Sequence, residues 1–166
     1  KTRTIGMVIS DVSNVFFGQM IQGVIDVITP EDYNLILCTT SESLAKEEEY
    51  FQLLLGRAVD GLIAAATSER WATLQTAEAR KIPVVFVDRT FEGMEGPYVG
   101  VDNLRGAYEA VSHLIEDGHR RIGVVAGPAH MSTMQERVEG YRRALQEREI
   151  DYDESLVVYS NLSIEG

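Results

Sequence analysis

Cysteine is nearly absent from this sequence: Cys38 is the only one among 166 residues. An internal disulfide and a zinc site built from several thiolates are therefore excluded. Basic residues are also scarce, 15 against 26 acidic ones, for a net charge of −11. A surface that acidic repels phosphate backbones, so the chain by itself is expected to show no salt-dependent affinity for duplex DNA or for anionic membranes. No apolar run is long enough to cross a bilayer. No export signal precedes the first apolar run, since Lys1–Gly6 moves directly into a strand pattern. With Cys38 reading as a small buried hydrophobe inside "LILCTT", these features point to a reducing, cytoplasmic location.

Catalytic signatures are missing too. Neither GxGxxG, GxxxxGK[ST] nor GxSxG occurs, which leaves a nucleotide cradle or a serine-hydrolase elbow unsupported. His113, His119 and His130 lack tight metal-ligand spacing. His119 beside Gly118 reads as a helix-end residue and His113 as structural. The acidic run Glu47–Glu49 reads as a solvated helix face. No catalytic residue, metal or cofactor is expected, and the chain does not read as an enzyme.

What is present is alternation. Apolar, β-rich runs stand near Thr4–Ser10, Asn34–Thr39, Val59–Ala65, Pro83–Val87, Arg121–Ala126 and Leu156–Tyr159, with a short one near Tyr98–Val101. Helical patterns fall between them, near Val15–Ile28, Leu44–Gly56, Glu69–Arg80, Leu104–Glu116 and Thr133–Arg148. In the first helix Phe17, Met20, Ile21, Val24 and Ile28 recur at helical spacing and Pro30 ends it; Gly118 is placed to cap the fourth. Strands apolar on both faces, alternating with helices, indicate an α/β fold with parallel sheets covered on both sides. The pattern restarts near Pro97–Asn103, which predicts two lobes, residues 1–102 and 103–166, the second one incomplete.

Ligands of such sheets bind beyond the carboxyl ends of the strands. Three polar groups fall there: Ser10–Phe17, Asp88 with Arg89, and "GPAHMSTMQER" after "RIGVVA". They would assemble two aromatic faces (Phe16, Phe17), a carboxylate (Asp88), two guanidinium groups (Arg89, Arg137) and small polar partners (Asn14, Thr133). Flat apolar faces with bidentate charged groups suit a sugar, whose C–H face stacks while its hydroxyls are bonded in the ring plane. Each residue also has a structural reading. Periodicity alone favours Phe16 and Phe17 as core, Asp88 can cap the next turn, Arg137 can lie on a solvated face, and Asn14 can be an N-cap.

The segments "TIGMVISDVSNVFFGQMIQGV", "VDGLIAA", "IPVVFVDR", "VDNLRGAYEAVSHLIEDGHRRIGVVAGP" and "ERVEGYRRAL" resemble the effector-binding domain of LacI/GalR-type transcriptional repressors. The resemblance implies a two-lobed fold of the periplasmic-binding-protein type (type I) with doubly wound parallel sheets. It places the chain after a DNA-reading headpiece and hinge and has it stop about midway through the second lobe. It further implies that Asn14, Phe16, Phe17, Asp88, Arg89, Thr133 and Arg137 hold a small-molecule effector, a monosaccharide, with the aromatic pair stacked on it. Phe17 would then serve both core and site. The family often has Pro where Val15 stands, Leu162 falls where ribose binders place another aromatic, and Met131 lacks the polar group of purine-sensing relatives. The implied partners are a second copy of the chain, through the helices near Val15–Ile28 and Leu44–Gly56, and operator DNA only through the headpiece. No membrane partner is implied. The alternative is a periplasmic sugar-binding receptor of a transport system.

Overall fold

Strand β1 (Thr4–Ile9) alternates its side chains between the two faces of a sheet, and both faces are apolar. The computed structural model describes residues 1–65, 77, 80–91 and 93–161. Most of the helix expected over Glu69–Arg80 lies outside the described residues, as does Leu162. Contacts divide the chain into two units, Lys1–Gly100 and Val101–Gly166.

In the first unit, β1 is followed by α1 (Val15–Ile28), β2 (Asn34–Thr39), α2 (Leu44–Gly56), β3 (Gly61–Ala64), β4 (Val84–Val87) and the two-residue β5 (Tyr98–Val99). The strands form one parallel sheet in the order β2-β1-β3-β4-β5. The chain moves outward from β1 to β2, then returns to β3 on the other side. This reversal opens a crevice at the carboxyl ends of β1 and β3. Met7 and Ile9 meet Phe17, Ala65 and Val87 on one face of the sheet. Val8 meets Phe51, Leu54, Leu62 and Phe86 on the other. Cys38 joins that second cluster, and burial pushes its thiol pKa up.

Strand β3 begins two residues later than expected, at Gly61, just after Asp60. Its carboxylate accepts the backbone N–H groups of Thr2 (3.2 Å) and Arg3 (3.0 Å), which fastens the start of the chain beside β1.

The second unit holds α3 (Asn103–Glu116), β6 (Val124–Ala126), α4 (Ser132–Glu147) and β7 (Val157–Tyr159), with β6 parallel to β7. Asp102 caps α3 by accepting the Arg105 N–H (2.9 Å). Its other end closes as a Schellman motif: Gly118, at φ +93°, donates to the Ile115 carbonyl, and His119 N–H donates to that of Leu114 (3.0 Å each). Strand β6 starts later than the expected Arg121, and Tyr141 supplies a reason. Its buried hydroxyl donates to the Ile122 carbonyl (2.9 Å), taking an acceptor that a longer ladder would use.

The crossing of α3 and α4 depends on Gly140. A Cβ there would lie 2.2 Å from the Leu104 carbonyl oxygen and 2.9 Å from the Tyr108 nitrogen, both backbone atoms of α3. Gly106 on α3 would place its Cβ in open space. The same substitution is thus expected to act with opposite signs. Gly106→Ala should stabilise by up to about 1 kcal/mol through helix propensity. Gly140→Ala should destabilise by about 1–3 kcal/mol, because helices must separate to admit the methyl. Urea midpoints of the two variants check this, and equal stabilisation by both would contradict the crossing described.

Candidate functional site

The first unit brings its polar residues together at the carboxyl edge of the sheet. After β1, Asp11 accepts the Ser13 backbone N–H and hydroxyl (2.8 Å each), and these bonds, the backbone one foremost, hold its carboxyl below the ordinary range. Asn14 caps α1, its side-chain oxygen accepting the Phe16 N–H (3.0 Å). Adjacent helical residues point about 100° apart, so Phe16 and Phe17 cannot both face the core. Phe17 is 2% exposed within it, whereas Phe16 is 37% exposed. The rings meet edge to face, 5.4 Å between centroids.

After β4 the backbone turns sharply. Asp88 sits at φ +68°, and the Arg89 N–H donates to the Val87 carbonyl two residues back (2.8 Å), a γ-turn of the strained hand. Strand β5 holds it in place: Asp88 N–H donates to Val99 O (3.1 Å), and the Tyr98 hydroxyl donates to Asp88 O (3.0 Å). Such strain persists where the surroundings over-determine the conformation, and it concentrates at functional sites.

Between β2 and α2 lies a second unusual turn. Ser41 (φ +50°) and Glu42 (φ +60°) occupy the centre of a type I′ turn closed by the Ser43 N–H on the Thr40 carbonyl (3.1 Å). The turn delivers the Glu42 carboxylate to Arg89, which it grips with both oxygens (Nη1–Oε2 2.7 Å, Nη2–Oε1 2.8 Å). The Arg89 side chain is only 11% exposed, and its Nε lies 3.4 Å from the Asp88 carboxylate. Desolvation alone would lower the Arg89 pKa. The hydrogen bonds to Glu42 and the charges of Glu42, Asp88 and Glu47 outweigh it and raise the value.

Glu47 corrects one expectation. The run Glu47–Glu49 indicates a solvated face, but Glu47 is 3% exposed in the first turn of α2, within the electrostatic reach of Arg89.

In the second unit the residues after β6 gather around Asn103. This buried side chain donates from Nδ2 to the Val101 carbonyl and the Glu136 carboxylate (3.1 Å each), while its Oδ1 accepts Arg137 Nε–H (2.8 Å). Arg137 is exposed and Thr133 buried, both on α4 four residues apart, hence on one side of it. Two members of these networks escaped the sequence reading. Asn103 lies inside the "VDNLRGAY" segment, which by itself gives it no role. The only available signal for Glu42 was its position just past the end of β2.

Residues 2–160 match the family described as periplasmic binding proteins and sugar binding domain of LacI family. The chain belongs to that family. The ribose operon repressor of Bacillus subtilis is 36% identical over 152 residues, 92% of this chain and 45% of the relative. Among solved structures, a putative ribose operon repressor from Burkholderia thailandensis is 31% identical with a TM-score of 0.90, covering 96% of this chain and 61% of that one. The regulator CelR in complex with cellobiose is 30% identical with a TM-score of 0.84, covering 99% and 52%. The periplasmic-binding-protein-like fold read from the sequence is therefore the fold of this chain, and these relatives are transcription regulators. The chain spans about half the length of the curated relatives it matches. Among the described residues no helix is long and apolar enough to cross a membrane.

Proposed function

We propose that this chain is the effector-binding part of a LacI-type transcription regulator, and that its effector is a sugar. The observation that carries the reading is the edge built from Phe16, Asp88 and Arg89. A half-exposed ring stands at the mouth of α1, and an aspartate–arginine pair is held at a strained turn past β4. A ring covers the C–H face of a sugar; a carboxylate and a guanidinium bond its hydroxyls. Asn14 adds a polar group at the same helix mouth, and Phe17 backs Phe16 from the core. Thr133 and Arg137 are the proposed effector contacts of the second unit, with Asn103 positioning Arg137.

The task proposed is binding, without turnover and without a cofactor, in the cytoplasm of the cell. We also assign the intact protein a homodimeric state. Val15 and Val27 on α1 and Leu44 and Leu53 on α2 are exposed apolar side chains that a second copy would cover. The alternative, a periplasmic receptor, gains support from the shared family alone, whereas the relatives named above are regulators.

Regulation requires that effector and DNA binding be coupled, typically by about 1–3 kcal/mol, or roughly 5–150-fold in affinity. The test is anisotropy of labelled duplex DNA flanking the protein's own coding sequence, titrated with the intact protein with and without sugar. A shift of that size is expected. Sugar binding by a protein with no DNA affinity would instead establish the receptor reading.

A further inference from the structure

The strained turn that carries Asp88 is held by a side chain of the neighbouring strand, and a glycine makes room for that side chain. Strands β4 and β5 run side by side with Phe86 opposite Tyr98 and Val87 opposite Val99. One residue further, β4 turns at Asp88 with φ +68°. Strand β5 meets the backbone of Asp88 twice. The Asp88 N–H donates to the Val99 carbonyl (3.1 Å), and the Asp88 carbonyl accepts the Tyr98 hydroxyl (3.0 Å). The first bond is backbone to backbone and tolerates almost any residue at position 99. The second exists only because position 98 carries a phenol.

Gly100 is what lets the phenol lie there. Side chains two residues apart on an extended chain stand on the same face, so a side chain at 100 would compete with the Tyr98 ring. A Cβ on Gly100 would overlap the Tyr98 hydroxyl and Cζ and lie 2.7 Å from Cε1; its three nearest neighbours all belong to Tyr98. Gly100 is not among the residues at positive φ, so its backbone conformation does not itself require glycine. The requirement comes from the tyrosine.

On the reading of this edge as the effector site, we propose that Tyr98 is the positioning residue of Asp88 and that Gly100 is the position that permits it. Tyr98 acts through the backbone. Its hydroxyl fixes the direction of the Asp88 carbonyl, and the carbonyl and φ together fix the direction of the Cα–Cβ bond. A residue held at positive φ relaxes when its surroundings no longer over-determine it. Relaxation would swing the Asp88 carboxylate away from the effector's hydroxyls and from Arg89 Nε, which it faces at 3.4 Å.

The experiment is calorimetry of the intact protein with ribose, glucose and fructose, read for the sugar that binds best. Tyr98→Phe keeps the ring over Gly100 and removes only the hydroxyl. It should weaken affinity roughly two- to tenfold, the net worth of one hydrogen bond. Gly100→Ala, which displaces the ring, should weaken affinity by a similar factor and add nothing further in a Tyr98→Phe background. In an Asp88→Ala background, Tyr98→Phe should cost no affinity, because the group it positions is gone. A merely structural loosening of β5 would lower affinity in both backgrounds alike. Wild-type affinity in Tyr98→Phe, beside a weakened Asp88→Ala, overturns the positioning role and leaves the effector reading standing. So does full additivity of Tyr98→Phe and Asp88→Ala, whether or not Gly100→Ala folds. If no sugar binds, or Asp88→Ala binds as tightly as the wild type, the effector reading itself is lost, and the positioning proposal with it.

Discussion

Phe17→Ala is expected to destabilise the protein by about 3–5 kcal/mol while Phe16→Ala leaves it near the wild-type value, although the two rings touch. The difference comes from one step of about 100° around the helix. Phe17 is 2% exposed and packs with Met7, Ile9 and Val87, so truncation empties a cavity that the sheet cannot collapse into. Phe16 already gives up over a third of its surface to water. Its loss should appear in effector affinity, where one aromatic face is worth about 0.5–1.5 kcal/mol beyond the area it covers. Denaturant unfolding and effector calorimetry on both variants separate the roles. A Phe16→Ala protein as unstable as Phe17→Ala, with unchanged affinity, would return Phe16 to the core.

The second large effect lies in the charged groups. Asp88→Ala and Arg137→Ala are each expected to weaken effector binding by about 2–5 kcal/mol, roughly 30-fold to several thousandfold. A charged group bonded to hydroxyls leaves them unpaired when it is removed. Asp88 has an added burden, since its carboxylate also faces Arg89 at 3.4 Å and its backbone occupies a strained turn. Asp88→Asn keeps the shape and the acceptor and drops the charge, so it should lose less than Asp88→Ala. For Arg137, the Nε–H donated to Asn103 predicts that Asn103→Ala reproduces part of the Arg137→Ala loss without touching the effector.

Much of the fold was legible because its signals are local. The spans of α1, β2 and α2 coincide with those the hydrophobic pattern indicates, Val15–Ile28, Asn34–Thr39 and Leu44–Gly56. Gly118 closes α3 by the motif its position suggests. The starts of β3 and β6 were not legible, because the long-range bonds beside them leave no local signal. Asp60 reaches back to Thr2 and Arg3, and Tyr141 reaches to Ile122. The same reason hid the site's electrostatics. Nothing near Glu42 in the sequence says that an arginine 47 positions away will take both its oxygens. Glu47 shows how a run of like charges misleads. Three consecutive helical residues span most of a turn, so one of them can face inward where a distant cation compensates it. The gathering of Asp88 and Arg89 after one strand and Asn14 with Phe16 after another was legible because a parallel sheet brings the carboxyl ends of its strands to one edge; their contact with an effector is proposed.

The most direct measurement is calorimetric titration of the intact protein with neutral monosaccharides, with Asp88→Ala beside it as a matched sample. Saturable binding of a sugar at one site per chain is expected, with affinity lower by a factor of roughly 30 or more in the variant, which keeps its fold. Absence of binding by every sugar, or a variant that binds as tightly as the wild type, would contradict it.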